Sequence, residues 1–90
     1  MAREMGAWFF EADVWKRAVA SRVWALVREH NGRYEVATCA KGTYSKWDDY
    51  CDAQGGDSSQ EYKAKRRATT LARKLAKAGS APMRRSMTAT

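Results

Sequence analysis

The chain has few large aliphatic side chains from which to build a core. Its 90 residues include 16 Ala but only 5 Val, 3 Leu, 2 Phe and no Ile. With a net charge of +7, this composition approaches that of disordered proteins. Four Trp and four Tyr argue for folding, because each buried aromatic ring removes roughly 150–250 Å² from water. We therefore predict one small domain over residues 1–79, with an aromatic-rich core.

The two ends of the chain lack a periodic pattern. We expect residues 1–6 to be frayed and residues 80–90 to form a flexible basic tail. The chain has no run close to the ~18 apolar residues of a membrane span. The apolar stretch 6–10 is followed at once by Glu11 and Asp13, which is not typical of a signal peptide. We therefore expect a cytoplasmic protein that does not bind membranes.

Residues 13–30 fit two different structures. Their apolar residues recur with the spacing of one helix face: Trp15, Ala18, Val19, Val23, Leu26 and Val27. Asp13 suits the start of such a helix, and Asn31-Gly32 suits its end. The alternative is a hairpin, because Asn-Gly is also the strongest signal for a two-residue type I′ turn. That turn would place Val27 opposite Val36. We expect the helix and keep the hairpin as the alternative.

Residues 34–40 are predicted to form a strand in either case. Its partner is residues 8–11 if 13–30 is a helix, and residues 23–30 if a hairpin forms. The sequence thus predicts a short two-stranded sheet. Residues 45–54 are predicted to form a short helix, because Ser45 and Asp48 resemble a capping box.

The last helix is predicted over residues 58–78. Ser58 and Glu61 form a capping box, and Gly79 stands just past the expected end. The apolar stripe of this helix is mostly Ala, so the helix must lie close to its neighbours: Ala64, Ala68, Leu71, Ala72 and Leu75. The predicted fold class is α+β, with helices at 13–30, 45–54 and 58–78.

The positive charge is concentrated in the last third of the chain. Residues 1–60 contain eight Lys and Arg against nine Asp and Glu, whereas residues 61–90 contain nine against one. The cations of the helix and the tail are the predicted binding residues: Lys63, Arg66, Arg67, Arg73, Lys74, Lys77, Arg84 and Arg85. Like charges one turn apart cost an isolated helix a few tenths of a kcal/mol, which suggests that something anionic faces this surface.

We expect the partner to be nucleic acid, DNA or RNA, bound through its phosphates with little readout of sequence. The alternative is a small adaptor or inhibitor, of the kind that phages or plasmids encode, that binds an acidic surface of a larger protein. In that case Trp24 or Trp47 would serve as an interface anchor. A homodimer would bury more apolar surface and is a further expectation.

The sequence does not predict an enzyme, a cofactor or a metal site. It lacks the phosphate-binding, dinucleotide-binding and hydrolase motifs, and so short a chain has little room for a walled pocket. Cys39 and Cys51 are the only cysteines and His30 is the only histidine, without the paired spacing of a zinc site. We expect both cysteines to be free thiols.

Overall fold

The computed structural model describes residues 6–53 and 58–80 of the chain. A six-stranded antiparallel sheet is followed by one long helix. The strands are β1 (Phe9–Glu11), β2 (Val14–Ala20), β3 (Val23–His30), β4 (Arg33–Ala40), β5 (Thr43–Tyr44) and β6 (Asp48–Asp52), and the helix is α1 (Ser58–Ser80). The α+β class is confirmed, but the predicted two-stranded sheet is wrong.

The first four strands pair in sequence order, each with the next. Strands β5 and β6 both pair with β4, at its two ends. Ser45, which lies between β5 and β6 in the chain, also bonds to β4. Its backbone N–H donates to the Thr38 carbonyl at 2.8 Å, and its Oγ accepts from the Thr38 N–H at 3.0 Å. The start of the described chain is also tied to the sheet, because the Gly6 N–H donates to the Ala18 carbonyl at 2.9 Å. Residue 6 is therefore not frayed, and residues 1–5 lie outside the described part.

The predicted helix over residues 13–30 is wrong, and the alternative hairpin is confirmed. Residues 31 and 32 both have positive φ, and Val27 lies opposite Val36 as the Asn-Gly turn requires. The error has a geometric cause. A spacing of four residues, as between Trp15 and Val19 or Val23 and Val27, keeps side chains on one face of a helix. The same spacing, being even, also keeps them on one face of a strand.

The predicted helix over residues 45–54 is also wrong, within the described residues up to 53. Asp48–Asp52 instead forms β6, which supplies the ladder hydrogen bonds for the outer edge of β4. A helix of about ten residues is marginal in water, whereas the edge of β4 offers a row of unpaired N–H and C=O groups with which β6 pairs. Trp47 and Cys51, which the helix would place on one face, pack into two different clusters.

The helix α1 is confirmed, and it runs two residues beyond the predicted end at residue 78. Ala64, Ala68 and Ala72 are all completely buried, and α1 packs chiefly on β3 and β4. The prediction that an Ala stripe brings this helix close to its neighbours is confirmed. Leu75, predicted on that stripe, is 41% exposed instead.

The sheet carries a separate apolar cluster on each side. The side under α1 includes Val19, Val27 and Val36, with Tyr34 also buried. The opposite side, called here the helix-free face, is formed by Trp24, Leu26, Ala37, Cys39 and Trp47. Strand alternation directs neighbours such as Leu26 and Val27 to opposite sides. The few aliphatic side chains of the chain are thus divided between two small cores, one on each side of the sheet.

An ion pair between β4 and β6 makes one part of the fold sensitive to acid. The Arg33 guanidinium donates to both Asp49 carboxylate oxygens, at 2.9 and 3.0 Å. This hydrogen bonding lowers the pKa of the Asp49 carboxyl below its ordinary value of 3.8. Because the folded pKa is the lower one, the pair stabilises the fold above about pH 4. That contribution is lost as the pH falls through the folded pKa.

Removal of the arginine partner tests this assignment. In Arg33→Gln we expect the Asp49 titration midpoint, followed by carboxyl carbon NMR, to rise toward 3.8. An unchanged midpoint would show that the pair does not persist in solution.

Candidate functional site

Six cationic side chains lie along the solvent side of α1, opposite its buried Ala stripe. All six are exposed, and they are called here the basic face: Lys63, Arg66, Arg67, Arg73, Lys74 and Lys77. The first and last are 14 residues apart, or about 21 Å along the helix axis. The structure therefore brings together every predicted binding residue of the helix. Arg84 and Arg85, also predicted, lie outside the described residues.

Glu61 and Asp49 both pair with cations outside the basic face. Glu61 accepts from the Lys65 ammonium at 2.8 Å, and this ammonium lies 3.7 Å from the centre of the Trp15 ring. Lys65 therefore points toward the sheet and is not part of the basic face. Asp49 is held by Arg33. Because residues 62–80 contain no Asp or Glu, the only carboxylate of α1 is that of Glu61, which pairs with Lys65.

A groove of about 490 Å³ runs along one flank of the basic face, between α1 and β2 with the residues that precede β1. Its lining combines four cations, two hydroxyl groups and two aromatic rings: Arg17, Lys65, Arg66, Arg73, Thr69, Thr70, Trp8 and Tyr62. None of these described side chains is acidic. Positive charge in a concave site attracts anions more strongly than it does on a flat surface, because the low-dielectric walls focus the field.

The sequence did not predict this groove. Arg17 belongs to β2 and Thr69 to α1, and no local pattern relates two residues 52 positions apart. Tyr62 left a weaker signal, since it stands directly before Lys63 and one helical turn before Arg66. Its ring is 62% exposed, and the Arg66 guanidinium lies 5.7 Å from the ring centre.

Trp24 and Trp47, the predicted interface anchors, lie together on the helix-free face. Both are half-buried. Trp24 meets the Phe9 ring edge-to-face, with 5.9 Å between centres, and the Arg28 guanidinium lies 4.5 Å over Trp47. Leu26 beneath them is only 3% exposed, so these rings cover the second core.

The charges around the helix-free face are paired with one another. Arg28 donates to Glu35 at 2.7 Å, and Lys16 donates to Glu11 at 3.0 Å. This face and the basic face lie on opposite sides of the sheet. A flat partner surface therefore cannot contact the basic face and a Trp anchor at the same time.

Another cavity, of about 570 Å³, lies where the ends of the β1–β2 and β3–β4 hairpins meet. It contains both signs of charge, including Asp13, Glu29 and Arg28, so it does not favour a polyanion. Within residues 6–53 and 58–80, no three His, Cys, Asp or Glu side chains lie close enough to hold a metal ion.

Cys39 and Cys51 are free thiols, as predicted. They lie in the two different clusters of the sheet. Burial raises the pKa of the Cys51 thiol, and its Sγ donates to the Gln60 carbonyl at 3.5 Å. Neither cysteine contributes to the basic face.

No described helix is long and apolar enough to cross a membrane. Comparison of the chain with protein-family models, with curated proteins and with solved structures finds no match.

Proposed function

We propose that this protein binds nucleic acid through the phosphates of the backbone, using the basic face of α1, and that it performs no chemical step. The observation that carries the proposal is the basic face itself: six exposed cations over about 21 Å of a helix that has no acid after Glu61. Each phosphate neutralised by Lys or Arg releases condensed counterions, which supplies affinity without reading the bases.

The packing of α1 weighs against an anionic membrane as the partner. A helix that binds lipid must insert an apolar face into the bilayer. In α1 that face is the stripe containing Ala64, Ala68 and Ala72, which is fully buried on the sheet. The solvent side carries six cations, with Tyr62 and Leu75 as the exposed large apolar side chains of this helix, and so suits a strongly charged, solvated polymer.

The second candidate is an adaptor or inhibitor that binds an acidic protein surface. Two half-buried Trp residues on the helix-free face favour it, because Trp is enriched among the anchors of protein interfaces. If a Trp anchor is to assist the basic helix, the acidic partner must reach both sides of the sheet. Nucleic acid requires the basic face alone.

Fluorescence anisotropy with a labelled 20-base-pair duplex and a matching single strand, at several salt concentrations, tests the proposal. We expect sub-micromolar binding at low salt to at least one of them, with a slope of log K against log salt of about −4 to −6. Lys74→Ala should reduce that slope by about one. Lys46→Ala, an exposed lysine outside α1, is the matched control and should not change it.

Binding to both probes no tighter than about 10⁻⁴ M at low salt would overturn the proposal, because that is the level of weak non-specific association. The acidic protein partner would then be the better candidate. If the slope of log K against log salt is the same for Lys74→Ala and Lys46→Ala, the binding surface lies elsewhere than on α1.

A further inference from the structure

The groove beside the basic face is lined partly by aromatic rings, which distinguishes it from the neighbouring cavity lined by Arg73, Lys74 and Lys77. Its volume of about 490 Å³ lies within the range typical of small-ligand sites. Tyr62 and Arg73, near its two ends, are 11 residues apart, or about 16 Å along the helix. A single phosphate is much shorter than this groove, whereas a stretch of polynucleotide backbone extends along its full length.

Arg17 is held in place on the sheet side of the groove. Its Nε donates to the Gly6 carbonyl at 2.8 Å, and one of its terminal nitrogens donates to the Thr69 hydroxyl at 3.5 Å. The guanidinium also lies 5.8 Å from the centre of the Trp8 ring. Since a guanidinium has five N–H donors, up to three are left for a ligand. A planar donor fixed in this way suits the bidentate recognition of phosphate.

The cations on the helix side face the same groove. Lys65 pairs with Glu61, and Arg66 and Arg73 line the same wall of the groove. The Thr70 hydroxyl lies between them in sequence and adds a neutral donor. A phosphate group in the groove would thus be approached by arginines from both walls.

Tyr62 adds an exposed aromatic ring to this phosphate-binding geometry. Burial in the core does not account for its position, since the ring is 62% exposed. Bases in a duplex are stacked on one another and present no open ring face. Bases of a single strand are free to stack on aromatic side chains, and a positively charged groove with such rings is typical of single-strand binding.

We infer that the groove binds a stretch of single-stranded nucleic acid, with one phosphate at Arg17 and Arg66 and an adjoining base stacked on Tyr62. This inference rests on the proposed function and extends it, because it assigns a preference for single strands over duplex. Arg17, Thr69 and Tyr62 thereby join the predicted basic residues as ligand contacts or supports.

Two exposed tyrosines allow a matched test of the base contact. Tyr62 lines the groove, whereas Tyr44, 67% exposed, lies on β5 outside it. By anisotropy with a 20-nucleotide single strand, we expect Tyr62→Leu to weaken binding about 10-fold. Tyr62→Phe should retain the affinity within about twofold, because the ring is kept. Tyr44→Leu should leave binding unchanged, and thermal melting should confirm that all variants fold.

The same probes distinguish the contribution of the groove to binding from that of the basic face. Arg17→Gln should weaken single-strand binding more than Arg22→Gln, an equal change of charge at an exposed turn. Duplex binding should be weaker than single-strand binding in the wild type and should change less than twofold in Tyr62→Leu.

Three results would overturn the inference. Duplex binding as tight as single-strand binding would contradict the groove as a single-strand site, and so would a Tyr62→Leu variant with unchanged single-strand affinity. Neither result would contradict phosphate binding by the basic face. Absence of binding to either probe would overturn the proposed function itself, and this inference with it.

Discussion

Replacing Lys63, Arg67 and Lys74 together by Gln is expected to weaken nucleic-acid binding by about 100-fold at 0.1 M salt. These side chains lie on the part of the basic face that does not line the groove. Each lost phosphate contact removes about 0.9 from the slope of log K against log salt for a duplex. Three lost contacts should therefore lower the slope by nearly three, which a salt titration measures directly.

The matched control removes three charges from the other part of the molecule. Arg22, Lys41 and Lys46 are exposed and lie in the turns and loops of the sheet. Their triple Gln variant has the same net charge as the helix variant, so a general loss of attraction would affect both equally. We expect its affinity to fall less than about fivefold, because distant charges are screened beyond about 10 Å at 0.1 M salt. Equal losses in the two variants would contradict a localised basic face.

The helix variant should remain folded. Lys63 and Arg67 are one turn apart, where like charges cost a few tenths of a kcal/mol. Removing these exposed charges relieves repulsion and disturbs no buried contact. An unchanged melting temperature would attribute the loss of affinity to lost phosphate contacts.

Ala68→Leu is expected to give the largest loss of stability, about 1–3 kcal/mol. Ala68 is completely buried between α1 and the sheet, and α1 packs on β3 and β4. Three added carbon atoms have no space there, so the helix must move away from the sheet or the side chain must leave its preferred rotamer. In a domain of this size the melting temperature should fall by about 4–8 °C for each kcal/mol.

Ala78→Leu makes the same chemical change at an exposed position of the same helix. We expect its free energy of unfolding to stay within about 0.5 kcal/mol of the wild type. Urea unfolding of both variants, followed by Trp fluorescence, compares them directly. An Ala68→Leu protein as stable as Ala78→Leu would contradict the close contact between α1 and the sheet.

The turns show why the strands could be predicted only in part. Asn31-Gly32 carries the sequence signature of a type I′ turn, and the alternative hairpin followed from it. Ala12-Asp13 forms a turn with both φ angles positive, at 54° and 65°, without a glycine. Ala is not typical of that conformation, so the first hairpin left no signal. The turn at Arg22, with φ of 65°, likewise has no turn signal in the sequence.

The proposed binding residues divide in the same way. The six cations of the basic face follow from helical periodicity alone, because every one of them lies on a single regular element. The groove needs two elements to meet. Arg17 was grouped with a predicted helix, and nothing in the local sequence connects it with Thr69. Trp24, a predicted interface anchor, contacts Phe9 and packs on the cluster that contains Leu26, and this contact too joins two elements.

By itself, the sequence determined the helix over its last third, the Ala stripe that lies against the sheet and the concentration of positive charge on the opposite side. These properties depend on residues within a few turns of one another, where spacing and capping act locally. Tertiary structure decided that residues 14–30 are two strands and not a helix, because their even spacing satisfies both periods. Hairpin pairing with Phe9–Glu11 and Arg33–Ala40 then selects the strands. The same pairing places Arg17 beside α1, and so creates the groove.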